Sequence, residues 1–187
     1  MLSCKDLLAI SAVARMAGEK SLYFYAVALL ALKGYGRVAI SKKLGIRERE
    51  ARKILEALRL NQHALNLVKE FGRVVLSAAG LECKPVVYTG LAEDVLSIVE
   101  SRVVLFRDYL VINSRNPEKV EVIGTCRSGS LKLPGVPEDV AYRYRCLEEF
   151  SKSTHGVLVC WKSYEEVADD ALVLLSLSEL CKHSAQP

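Results

Sequence analysis

An α+β chain in two parts is predicted by three observations along its 187 residues. Apolar residues follow helical spacing up to about residue 60, whereas from Val86 onward short strand-like runs alternate with helical ones. Gly45 separates a short helical segment from a longer one whose apolar and charged residues fall on opposite faces. Charge is divided as well: residues 1–84 carry 15 Lys and Arg against 7 Asp and Glu, whereas residues 85–187 carry 11 against 15. The overall charge of +4 conceals a basic half that suits a nucleic-acid partner and an acidic half with another task.

Ser3–Met16 is expected to be a helix, with Leu7, Leu8, Ile10 and Ala14 on its apolar faces and an end near Gly18. Ser21 is expected to cap a second helix running to about Lys33, stopped by Gly34-Tyr35-Gly36. Its cluster Tyr23, Phe24 and Tyr25 covers more than one face, so part of it needs another element or subunit to pack on. Arg37–Leu44 forms a third helix, Gly45 supplies a left-handed turn, and Arg47–Leu60 forms a fourth. Stepping 100° per residue puts Ala51, Ile54, Leu55 and Leu58 on one face of it, and Arg49, Arg52, Lys53 and Glu56 on the other. Asn66–Lys69 and Arg73–Ser77 are expected to pair as a hairpin turned at Phe71-Gly72. Pro85 marks the boundary. Helix, turn, helix and hairpin in that order make residues 1–84 a winged helix-turn-helix domain with an extra N-terminal helix.

Residues 85–187 read as a small α/β layered domain for effector binding or dimerisation. Val86–Thr89 is expected to be a strand and Ala92–Ser101 a helix. Arg102–Ile112 is expected to be a strand, or two strands bent at Arg107-Asp108. Lys119–Cys126 and Ser130–Leu133 pair through a turn at Ser128-Gly129. Pro137–Lys152 forms a helix, Val157–Lys162 a buried strand, and Ser163–Cys181 a last helix opened by the capping-box spacing of Ser163-Tyr164-Glu165-Glu166.

The helix after Gly45 carries the functional reading. A recognition helix meets base edges with the exposed residues of its first turns, which makes Arg49, Arg52 and Lys53 the base-reading candidates, with Arg47 at the helix start. Arg37, Lys42 and Lys43 are placed for phosphates, and Lys69 and Arg73 flank the expected wing tip. Glu48 and Glu50 suit a helix N-terminus but repel a duplex if they face it. The expected function is a sequence-specific transcription regulator rather than an enzyme, binding double-stranded DNA as a homodimer. The competing reading is a winged helix that contacts proteins only. A small-molecule effector is assigned to the second part, with Arg107, Asp108 and Trp161 as its ligand-binding candidates.

Other chemistry finds little support. His63, His155 and His183 are isolated and no two of the six cysteines form a CxxC pair, so neither metal nor cofactor is expected. Abundant charged residues with few Gln and Met suggest a thermophile, in which disulfides form even inside cells. The longest apolar stretches, Tyr23–Leu32 and Ala171–Leu177, are too short to span a bilayer, so a cytoplasmic protein is expected.

Residues 20–80 resemble the winged-helix domains of prokaryotic transcription regulators, through Leu44-Gly45-Ile46 before the recognition helix and the ending Gly72-Arg73-Val74-Val75-Leu76-Ser77-Ala78-Ala79-Gly80. The whole chain resembles an archaeal group of winged helix-turn-helix regulators with a C-terminal α/β domain of unassigned function. That likeness rests on Arg107-Asp108-Tyr109 and Leu133-Pro134-Gly135, while Ser114–Glu118 departs from the small-residue run usual there. It implies a regulator and names no ligand.

Overall fold

The computed structural model describes residues 1–18, 21–127 and 129–185, without the side chains of Ser21 and Phe150. The cap expected of Ser21 and the turn residue Ser128 therefore lie outside what is described. Five helices come first: α1 (Cys4–Met16), α2 (Ser21–Leu32), α3 (Arg37–Leu44), α4 (Glu48–Leu60) and α5 (Gln62–Glu70). Then follow β1 (Gly72–Val75), β2 (Lys84–Thr89), α6 (Glu93–Ser101), α7 (Val103–Ser114), β3 (Val120–Arg127) and β4 (Ser130–Lys132). Two short helices, α8 (Glu138–Ala141) and α9 (Glu148–Ser151), flank a 3-10 stretch over Tyr142–Leu147. The strand β5 (Gly156–Trp161) and the long helix α10 (Glu166–Ser184) end the order.

The strands form one antiparallel sheet in the order β1-β2-β5-β3-β4. Alternation along each strand divides the core in two. Val86, Tyr88, Ile123, Val157, Val159 and Trp161 face the helices, whereas Val87, Val122, Cys126, Leu158 and Cys160 face Leu76, Tyr144 and Leu147 on the other side. Burial on both faces explains why β5 reads as an unbroken apolar run. Helices α6 and α7 pack on β3, and α10 shares the core of this face while packing on α1, α2, α6 and α7. A capping box between Ser3 and Asp6 starts α1, and Leu2 bridges to Leu91 just after β2. Disulfides join Cys4 to Cys181 and Cys83 to Cys160.

The α+β class holds, as do the bounds of α1 to α4, α6 and the β3–β4 hairpin to within about two residues. Several expected elements are corrected. Residues 66–69 are helical, not a strand, because Ala64 and Val68 stand one turn apart and α5 buries both against α1 and α2. Gly72 consequently opens an edge strand instead of turning a hairpin, and Arg73–Val75 pair with Tyr88–Val86. Gly90 makes that junction possible, since a Cβ there would lie 1.9 Å from the Glu70 carbonyl oxygen.

Residues 102–112 form a helix, not a strand. Phe106 and Leu110 are buried one turn apart, and Arg107 and Asp108 point outward. Residues 137–152 break into three short pieces instead of one helix. The last helix starts at Glu166, not Ser163; Asp169 fills the capping role by accepting the Glu165 amide at 2.6 Å. Pro85 lies inside β2, its carbonyl accepting the Leu76 amide at 2.9 Å, so it interrupts no pairing. The sheet runs through the expected boundary at 84/85, and α10 from the second part packs on α1 and α2 from the first.

Candidate nucleic-acid interface

The unit α3–turn–α4 is built locally. Gly45 takes the left-handed conformation (φ 63°, ψ 26°) and its amide, like that of Ile46, returns to the Ser41 carbonyl. A residue with a Cβ resists that conformation, which is why glycine ends α3 there. The chain then re-enters a helix after Arg47, whose extended backbone donates its amide to the Glu50 carboxylate at 3.0 Å. The side of α4 carrying Ala51, Ile54 and Leu58 is buried against the preceding helices. Because apolar and charged residues separate cleanly, Arg49, Arg52, Lys53, Glu56 and Arg59 are left exposed.

Carboxylates partly offset that basic surface. Arg37 pairs with Glu48 at 3.3 Å, Arg47 with Glu50 at 3.7 Å and Arg52 with Glu56 at 2.8 Å. All three pairs are open to solvent, where such contacts contribute about 0–1 kcal/mol and exchange readily for a phosphate. Lys43 sits 4.9 Å over the Tyr35 ring. Lys42, Arg49 and Lys69 are exposed and make no ion pair with another described residue. Thus Arg37, Lys42, Lys43, Arg47, Arg49, Arg52 and Lys53 cluster on α3, α4 and their flanks, while Lys69 lies on α5.

Arg73 stands apart from this group. On β1, away from any wing tip, its guanidinium is held by Asp170 and Glu166. That contact belongs to an ionic cluster at the start of α10 of which the sequence gives one sign, Asp169-Asp170 before an apolar run. Asp170 also accepts the Tyr164 hydroxyl at 2.8 Å, and Asp169 pairs with Lys119 at 2.7 Å. Burial pushes the Asp170 carboxyl up to about 6, against the opposing pull of Tyr164 and Arg73, and burial raises Asp169 as well. Glu166, nearer water, is lowered chiefly by its hydrogen bond from Lys33.

The three ligand candidates do not form one site. Arg107 donates to the Val120 carbonyl at 3.2 Å and borders a cavity of about 100 Å³ beside Pro134 and Gly135. Asp108 is exposed on α7. Trp161 is wholly enclosed, its indole N–H donating to the Tyr88 hydroxyl at 3.2 Å, so it serves the core. Among the described residues no group of three His, Cys, Asp or Glu is placed to hold a metal, and no helix is long and apolar enough to cross a membrane. Compared with protein-family models, curated proteins and solved structures, the chain matches none of them.

Proposed function

We propose that the protein binds double-stranded DNA through the α3–turn–α4 unit, with α4 as the reading helix, and acts as a transcription regulator. The observation that carries this reading is the separation on α4: one side is consumed by the core, and the other presents Arg49, Arg52 and Lys53 with Lys42 and Lys43 beside them. Arginines on that side suit guanine edges, and the lysines of α3 suit phosphates. Lys69 is a lesser phosphate candidate and Arg73 is assigned to the α10 cluster instead. The antiparallel pair β1–β2 that follows α5 belongs to the five-stranded sheet, and no wing role is assigned to it. Two copies would place two reading helices on successive half-sites.

Fluorescence anisotropy on labelled duplexes across a salt series tests this. Arg49→Ala with Arg52→Ala should weaken binding at least tenfold and flatten the salt slope by roughly one to two, since each phosphate contact contributes about 0.9. Unchanged affinity and slope would remove α4 as the reading helix. A second reading, a protein-docking face, is favoured by Glu48, Glu50 and Glu56 standing among the arginines of the same helix. Retention on duplex DNA only at very low salt, insensitive to the double substitution, would favour it.

A further inference from the structure

We propose that the cleft between the start of α2 and the end of α7, floored by α10, binds a free α-amino acid with an apolar side chain. The cleft holds about 500 Å³, within the range of small-molecule sites. Leu22 and Tyr23 of α2, Ile112 of α7 and Leu175 of α10 supply apolar walls. Arg115 and Glu179 border the same space. Neither makes an ion pair or side-chain hydrogen bond with the other or with any other described residue. An arginine and a carboxylate bordering one cleft are complementary to a carboxylate and an ammonium on one small molecule, with its hydrocarbon group against the apolar side chains.

Two further observations point the same way. Arg115 is the one non-glycine residue with positive φ (55°) among those described, at the helix end where glycine fits without penalty. An arginine kept in that conformation argues for use of its side chain. Ile112 leaves 67% of its surface open at the cleft, an apolar wall with room for an occupant.

The cleft sits at one end of α2, and that helix also packs on α3 and α4. An amino acid seated there holds the helix that supports the reading unit. Its role as effector rests on the DNA-binding proposal; its binding does not.

Titration calorimetry of the full chain with the twenty common amino acids, each at low-millimolar concentration, tests the assignment. Apolar amino acids should bind, and the 2-oxo acid or amine with the same side chain should bind at least tenfold more weakly. Arg115→Gly, which suits the left-handed backbone, and Glu179→Gln should each weaken binding about tenfold or more while thermal unfolding confirms the fold. Absence of binding by every amino acid, equal binding of the 2-oxo acid, or binding unchanged in both variants would overturn the site. Duplex anisotropy with and without the bound amino acid reads the effector role separately. No change there, with calorimetric binding intact, would overturn that role alone.

Discussion

Helices α4 and α10 solve the same problem in opposite ways. In α4 one side is buried and the charged side is wet, so its ion pairs cost little to form and little to break. In α10 every residue from Asp169 to Ser178 is buried, with four helices packed around it and a core shared with one face of the sheet. Its carboxylates therefore need fixed partners: Arg73 on β1, Tyr164 before the helix and Lys119 before β3. The difference teaches where charge can be spent on a partner. Exposed pairs on α4 are available to an incoming phosphate, and the buried ones on α10 hold the fold.

The largest expected effect breaks the buried side. Arg73→Ala leaves Asp170 without its cation and should lower unfolding stability by about 3–5 kcal/mol in denaturant titration. A loss below about 1 kcal/mol would show that the α10 cluster is no more structural than the α4 pairs.

A smaller effect is read with pH. The folded-state value of Asp170, about 6, lies above its ordinary 3.8, so the fold favours the protonated acid. The stability from this preference is complete below about pH 3.8 and is lost as pH rises through about 6. Between pH 4 and 7 the native chain should lose about 2–3 kcal/mol relative to Asp170→Asn, which has no proton to release. Parallel stability curves for the two proteins would remove Asp170 as the titrating group.

The smallest effect sharpens the contrast. Arg52→Ala, which deletes the 2.8 Å pair with Glu56, should leave the denaturation midpoint almost where it was. A larger loss in chemical denaturation would mean that α4's charged side serves the fold and is less available to a ligand.

The same contrast explains what sequence could show. Gly45 and the one-sided pattern of α4 are local, so the bounds of α3 and α4 and the exposure of Arg49 and Arg52 followed from spacing alone. Short apolar runs were ambiguous: 66–69 and 102–112 suit a strand by composition, and packing against helices and sheet decided for α5 and α7. Gly72 resembled a hairpin turn because its true partner strand stands some distance along the chain, where Arg73 meets Tyr88. The partners of Arg73 at Glu166 and Asp170 are 93 and 97 residues away, beyond any local pattern. A helix buried on all sides shows no stripe, so α10 was legible as a helix but not as the centre of the core.

The bond between Cys4 and Cys181 spans 177 positions, tying the start of α1 to the end of α10. The polypeptide is thereby closed into a ring. A protease cutting at the exposed Ala79–Gly80 loop would open that ring without releasing a fragment, and the nicked molecule would run as one species in a gel until a thiol divided it.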